Sequence, residues 1–369
     1  AGARYGYGLL WVVVLSAVFG TTAQYLAAKI GIVSGHGIIR TTEIHLGRTW
    51  AWILTLDALI ATWLAAMVLM NALAGITGVL TGLPTPYWGL FFGILIGALI
   101  NWRGYRWFET LCKVLVSFVV ACFVVVLVLS APPPGLVISG LVPHLTGGVD
   151  AALLAAAIMG GAVHVTIIGM HTYNTNARGW KLADLGLARL DTLLSMGVAF
   201  GIYSLAIYLV SATLLHPHQI SVTRATDVAM ALEPLLGRHA MHLFLIGLMA
   251  AAFSTIAPTF LAGAFFLADK LHWPLTTQDR RFVAIVWAGC AISMLGPLAK
   301  GSFFLLLPLM LALGLVGTPV IIGIIIYLLN RPALNRDAPN SRLMNLMAAI
   351  TLLVTSFLAL RFVISTFMG

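Results

Sequence analysis

Ten long apolar runs, separated only by short polar links, decide what this chain can become. They fall at about 7–31, 50–82, 87–102, 107–131, 151–173, 190–214, 240–270, 281–298, 301–329 and 343–367. Roughly 20 apolar residues cross a bilayer as a helix, and a helix keeps its backbone hydrogen-bonded where no water is at hand. No polar run between them is long enough to make a soluble domain. Charged residues make up 8% of the chain, against roughly 25% in soluble domains. The expectation is an all-α, polytopic protein of the cell membrane, multi-pass, with the lipid bilayer around it. The net charge of +9 does not point to nucleic acid, because the basic residues are scattered between apolar runs rather than gathered in a stripe.

That scatter has a pattern of its own. The links after the odd-numbered runs, with their flanks, hold 15 of the 20 lysines and arginines, Lys29, Arg40, Arg48, Arg103, Arg106 and Lys113 among them. The other side holds Arg4, Arg224, Arg238, Lys300 and Arg361. Positive residues mark the cytoplasmic side, so the links at 32–49, 102–106, 174–189, 271–280 and 330–342 are expected there. Ten spans then place both chain ends outside. An outside start with no signal segment before it is awkward, and the chain opens on Ala1. The expectation is that one further span precedes it.

Outer links are stiffer. GLPTPY (Gly82 to Tyr87) reads as a tight turn, and Pro132, Pro133, Pro134 and Pro143 mark a rigid crossover. The longest outer loop runs from His216-Pro-His218 toward His242 and has room for a short surface helix. Cys112, Cys122 and Cys290 lie in apolar runs without metal or disulfide spacing, so buried free thiols are expected.

The stretch richest in chemistry is GGAVHVTIIGMHTYNTNAR, Gly160 to Arg178. Two imidazoles inside an apolar run are expensive and point to function. The glycine pair Gly160–Gly161 is either a place where the helix opens its backbone around a cavity or a close helix crossing. His164 is a candidate ligand for Mn, Fe, Co, Ni or Zn, which suit imidazole, or a packed histidine that donates to a carbonyl. His171, seven residues on, shares a face with His164 only if the helix is continuous. It is a proton relay or a vestibule histidine. Thr166 and Thr172 satisfy loosened backbone or touch an ion. Asp57 is the one acid well inside a span, a weak candidate for a proton site, with a basic or hydroxyl partner expected from another helix. Asp191 is expected to cap the helix that starts near 190.

Several blocks resemble the Nramp family of divalent-metal transporters. QYLAAKIGIVSG (Gln24 to Gly35) is similar to that family's second helix, and NWRGYRWFETL (Asn101 to Leu111) to the link between its fourth and fifth. GMHTYNTNAR (Gly169 to Arg178) resembles the end of its sixth, and FLIGLMAAAFSTIAPTFLAG (Phe244 to Gly263) its eighth. The resemblance implies a LeuT-like fold of two inverted five-helix repeats, whose broken first and sixth helices meet at the metal. The chain 1–369 then reads as one transporter domain: 1–131 the remainder of the first repeat, 148–329 the second, 343–367 an added helix. The family's first helix, which carries half of the metal ligands, would lie before Ala1.

The resemblance also implies site residues, with departures. Where the family has a backbone carbonyl, then methionine, proline and histidine, this chain has Gly161, His164, Val165 and Thr166. Gly161, His164 and Thr166 are therefore the metal candidates, with His171 matching the family's second histidine. The family's acidic pair reads as Trp63 and Ala66, with Asp57 about one residue from its earlier carboxylate. A glutamine position on the tenth family helix reads as Gly317, beside Thr318 and Pro319.

The first reading is a secondary transporter or facilitator for divalent metal, Mn/Fe-type or magnesium, with weak or absent proton coupling because those acids are missing. A magnesium ion would keep several waters, and His164 would meet its hydration shell. The metal is cargo; no cofactor and no obligate protein partner are inferred. The alternative is a same-fold transporter of an organic substrate such as an amino acid, its carboxylate at the half-helix N-terminus. A membrane enzyme or haem protein is a third reading. It lacks a nucleophile or carboxylate pair, and a haem would need histidines on facing helices.

Overall fold

The computed structural model describes residues 1–144, 148–219, 238–298 and 303–367; side chains at 102–109, 112, 238, 240, 243, 303–305 and 367 are not among those described. Helices account for nearly all of it: α1 (Leu10–Ser34), α2 (Ile38–Leu46), α3 (Arg48–Thr81), α4 (Thr85–Ser130), α5 (Val149–Gly160), α6 (Val165–Ala177), α7 (Leu182–Leu215), α8 (Arg238–Lys270), α9 (Arg280–Ser293), α10 (Phe303–Leu329) and α11 (Arg342–Phe367). Among the described residues, nine helical spans are long and apolar enough to cross a bilayer, with α5 and α6 counted together. Most of the outer loop expected to have room for a surface helix, 220–237, lies outside the described residues, as do Arg224 and Lys300.

The tenth span comes from α4, and here one expectation is corrected. Residues 102–106 are not a loop; helical geometry runs unbroken from Thr85 to Ser130. The sequence there has no proline to remove a backbone donor, so nothing halts the ladder. Yet α4 cannot be straight. Phe92 packs on Phe253 of α8, ring centroids 6.3 Å apart, while Cys122 lies against Gly247 of the same helix. Gly247 and Phe253 are about 9 Å apart along α8, whereas Phe92 and Cys122 would be about 45 Å apart on a straight helix. An apolar cavity of about 330 Å³ is likewise lined by Phe92 and by Leu115 and Phe118 together. The chain turns back between Asn101 and Lys113, and α4 supplies two spans.

Burial shows which span the others surround. The window in Val149–Ala177 is 72% buried, against 28% for Lys113–Ser130 and for Leu182–Leu215. Alanines and glycines permit this: Ala151, Ala152, Ala155, Ala156 and Ala157 are all buried, and small residues let helices approach closely without a thick side-chain layer. At Gly160 a Cβ would run into the backbone carbonyl of Leu311 on α10.

The links rich in basic residues gather at one end. There Lys29 Nζ donates to Asn340 at 2.6 Å, tying α1 to the foot of α11. Glu43 of α2 takes Lys270 Nζ at 2.9 Å, with Arg48 at 3.6 Å and His272 at 3.5 Å. Asp269 accepts from the Tyr173 hydroxyl at 2.9 Å and from the Arg40 N–H at 3.1 Å. Burial works against the ionised Glu43 carboxylate, but the Lys270 hydrogen bond and the surrounding positive charges outweigh it and hold its pKa below the usual 4.5. Asp191 is a second correction. The α-helical geometry of α7 starts at Leu185, so Asp191 lies inside the helix and pairs with Arg178 at 3.1 Å. The carboxylate at the helix start is Asp184, which accepts from the Lys181 N–H at 2.9 Å.

Candidate metal site at the helix break

The central span is interrupted where the glycine pair and imidazole predict it. α5 ends at Gly160 and α6 begins at Val165. His164 caps α6 in extended geometry, φ −109° and ψ 146°. Gly160 serves as a close crossing as well as a helix end, through its contact with Leu311. Gly161 is half-buried, and a Cβ on it would meet only the carbonyls of Ala157 and Ile158, its own preceding turn.

Opening a helix frees carbonyls, and two of them are taken up from different helices. Gln24 on α1 donates its amide to the Ala162 carbonyl at 3.3 Å. Thr318 on α10 donates its hydroxyl to the Val163 carbonyl. Sequence reading noted both positions but gave neither this task. The only signal available was their polarity inside apolar runs.

His164 is buried, 4% exposed. Its Nδ1 lies 2.9 Å from Thr166 Oγ1, and the Thr166 N–H reaches the same nitrogen at a weaker 3.4 Å. Its other nitrogen, Nε2, is buried and has no hydrogen-bond partner among the described residues. Buried polar nitrogens are nearly always paired, so a lone one turned toward Gly314 of α10 is a signal. A hydroxyl can donate or accept, so it orients the ring at Nδ1 in either tautomer.

Of the sequence candidates, the break brings together Gly161, His164 and Thr166. Thr166 directs its hydroxyl at His164. Asp57 on α3 also reaches this region, against Gly317 of α10. It does so without the expected partner, because its Oδ2 accepts no hydrogen bond. His171 is set apart: His164 lies outside the helix, so the seven-residue spacing puts no common face under the two. His171 sits two turns into α6, on the way to the Arg178–Asp191 ion pair. Thr172 uses its hydroxyl to take the Ile38 N–H at 2.9 Å. Cys122 and Cys290 are buried free thiols.

The sequence profile of the natural resistance-associated macrophage protein-like family, Nramp, matches residues 1–365. The chain belongs to the Nramp family. It is 29% identical over 354 residues to the divalent metal cation transporter MntH of Mycobacterium tuberculosis, covering 88% of this chain and 79% of that one. In structure it is similar to the manganese transporter of Eremococcus coleocola, with a TM-score of 0.79 at 18% identity over 97% of this chain and 80% of that one. MhsT, solved with L-phenylalanine, shares the fold more distantly: TM-score 0.60, 15% identity, 99% of this chain and 92% of that one. This Nramp chain is thus an all-α, multi-pass membrane protein of LeuT-like architecture. Its break carries an imidazole where the resemblance leads one to expect a thioether.

Proposed function

We propose that this Nramp chain moves a divalent metal ion across the membrane, and that the ion passes the α5–α6 break in contact with His164. The carrying observation is the buried, unpartnered Nε2 of His164, with Nδ1 engaged by Thr166. The family membership and the Mycobacterium tuberculosis divalent metal cation transporter support the cargo class. Gly161, half-buried at the end of α5, offers its carbonyl as an oxygen contact. Thr166 acts through His164: its hydroxyl, 2.9 Å from Nδ1, orients the ring, and an ion at Nε2 selects the tautomer in which Nδ1–H donates to that hydroxyl in place of the weak Thr166 N–H contact.

The cargo is of the Mn/Fe type, since a nitrogen ligand suits those ions, while magnesium prefers oxygen and its own waters. Coupling to protons is weak or absent, because Trp63 and Ala66 stand where the resemblance places acids. The basic end faces the cytoplasm. Residues 1–131 and 148–329 form the two repeats around the break, with 343–367 outside them. Transport of an organic substrate, the alternative, rests on fold likeness alone.

The test is uptake of Mn2+ and Mg2+ side by side by vesicles holding the complete protein. His164→Ala is expected to abolish saturable Mn2+ uptake, and His164→Met to restore it through a soft donor. Magnesium uptake that survives in His164→Ala with only a shifted affinity would place the imidazole on the hydration shell instead. Unchanged uptake of both ions in His164→Ala would overturn the site.

A further inference from the structure

Two glycines on α10 frame an unexpected meeting. Gly314 and Gly317 are three residues apart, so they share one face of the helix, with Cβ positions about 5–6 Å apart. A Cβ at Gly314 would overlap the His164 imidazole at Cδ2 and Nε2. A Cβ at Gly317 would overlap the Asp57 carboxylate, Oδ2 first. Neither glycine has positive φ, so the backbone does not call for glycine at either place. Glycine inside a helix costs about 1 kcal/mol relative to alanine. What the two glycines give in return is room. They open a notch that α3 fills with a carboxylate and the break fills with an imidazole.

Both tips in that notch are orphans. Asp57 Oδ2 and His164 Nε2 are each buried and each without a hydrogen-bond partner. Two such groups on one helix face are costly apart. One divalent cation between them answers both, as counter-charge to the carboxylate and as acceptor of the imidazole lone pair.

We infer that Asp57 is a direct contact of the transported cation, shared with His164 in the notch opened by Gly314 and Gly317. The inference rests on the proposed metal path through the break. It adds a ligand from α3, in the first half of the chain, at a place where sequence reading had only a weak proton site. A nitrogen and a carboxylate oxygen form a donor set suited to Mn2+, Fe2+ and Zn2+.

The experiment is equilibrium binding of Mn2+ to the purified complete protein, followed by the electron paramagnetic resonance of free Mn2+, with no membrane and no gradient. Asp57→Asn keeps the shape and removes the charge; Mn2+ binding is expected to weaken about ten-fold, the scale on which metal sites respond to a lost support. Gly317→Ala leaves the carboxylate charged but displaces it, and should shift binding in the same direction. It carries the test should Asp57→Asn not fold, as judged by its melting temperature. Asp57→Cys supplies a readout that a merely structural carboxylate would not move: a soft thiolate should turn the preference from Mn2+ toward Cd2+. Folded Asp57→Asn or Gly317→Ala protein that binds Mn2+ as the parent does overturns the inference, as does Asp57→Cys without a gain in Cd2+. If His164→Ala alone loses Mn2+, only Asp57 falls. If His164→Ala also binds normally, the metal path through the break falls with it.

Discussion

The helix break and the basic end of this molecule handle polar groups in opposite ways. At the basic end, charges answer one another: Glu43 holds Lys270 and lies beside Arg48 and His272, while Asp269 holds Tyr173 and the Arg40 backbone. At the break, an imidazole nitrogen and a carboxylate oxygen are buried and left open. The first arrangement is charge-compensated and therefore structural: Glu43 Oε2 makes no hydrogen bond among the described residues but lies 3.5 Å from His272 and 4.0 Å from Arg40. The second is uncompensated, and the proposed metal path draws on that. Transport needs both, a rigid frame that spends its charges internally and a seat that keeps some in reserve.

The comparison predicts that damage to the two regions will be read by different instruments. The largest expected effect is Glu43→Gln. Its side chain is 12% exposed and that of Lys270 4%, so the loss lies between an exposed and a fully buried pair, about 2 kcal/mol of stability. Thermal unfolding in detergent should show it, while Mn2+ affinity stays as it was. The pH dependence follows from sign. The Glu43 pKa is depressed on folding, so its contribution is full above the unfolded value near 4.5 and fades as pH falls through the lower folded value. The gap between the parent and Glu43→Gln should therefore be complete at neutral pH and shrink below about pH 4.5.

Thr166→Val should do the reverse. It removes the hydroxyl that orients His164, and Mn2+ affinity should fall about ten-fold, with the melting temperature nearly unmoved. If unfolding changes and affinity does not, the contrast between the regions is broken. Tyr173→Phe takes one hydrogen bond from Asp269 and should lower stability by about 1 kcal/mol, again without touching affinity. The smallest effect belongs to Arg4→Ala. Arg4 pairs with Asp150 at 3.0 Å, but both side chains are about two-thirds exposed; a change below about 0.5 kcal/mol is expected, fading further in salt.

The frame was legible because its signals are local. Each apolar run declares a span by itself, and Gly160–Gly161 before His164 declares a break within five residues. The seat was only half legible. Gly161, His164 and Thr166 lie together in sequence and stayed together in space. The placing of His164 against Gly314 and of Asp57 against Gly317 depends on α3, α10 and the break arriving at one place, and two glycines do not announce whose side chains will use their room. Gln24 and Thr318 were hidden for the same reason, since their partners are carbonyls more than a hundred residues away. The misreading of Asp191 had a different cause. Its α-helical geometry starts at Leu185, five residues before the apolar run does, so hydropathy marked the membrane edge and not the helix start. The two spans of α4 and the link between them were expected; that the link at 102–106 keeps helical geometry was not, because its polar residues suggested a loop.

The Ala162 and Val163 carbonyls, gripped by Gln24 and Thr318, set an order of events. They belong to successive peptide groups, and their holders stand on α1 and α10, one in each half of the chain. A rocking of one half against the other cannot keep both grips at full strength. The Gln24 bond, at 3.3 Å, is already at the long limit for an N–H···O contact, which makes it the weaker latch. Separation should therefore unlatch the α1 side first, and the freed Ala162 carbonyl would turn toward whatever cation is then in reach. A glutamine on α1 and a threonine on α10 thus make the break a joint that any such movement would have to release from one side before the other.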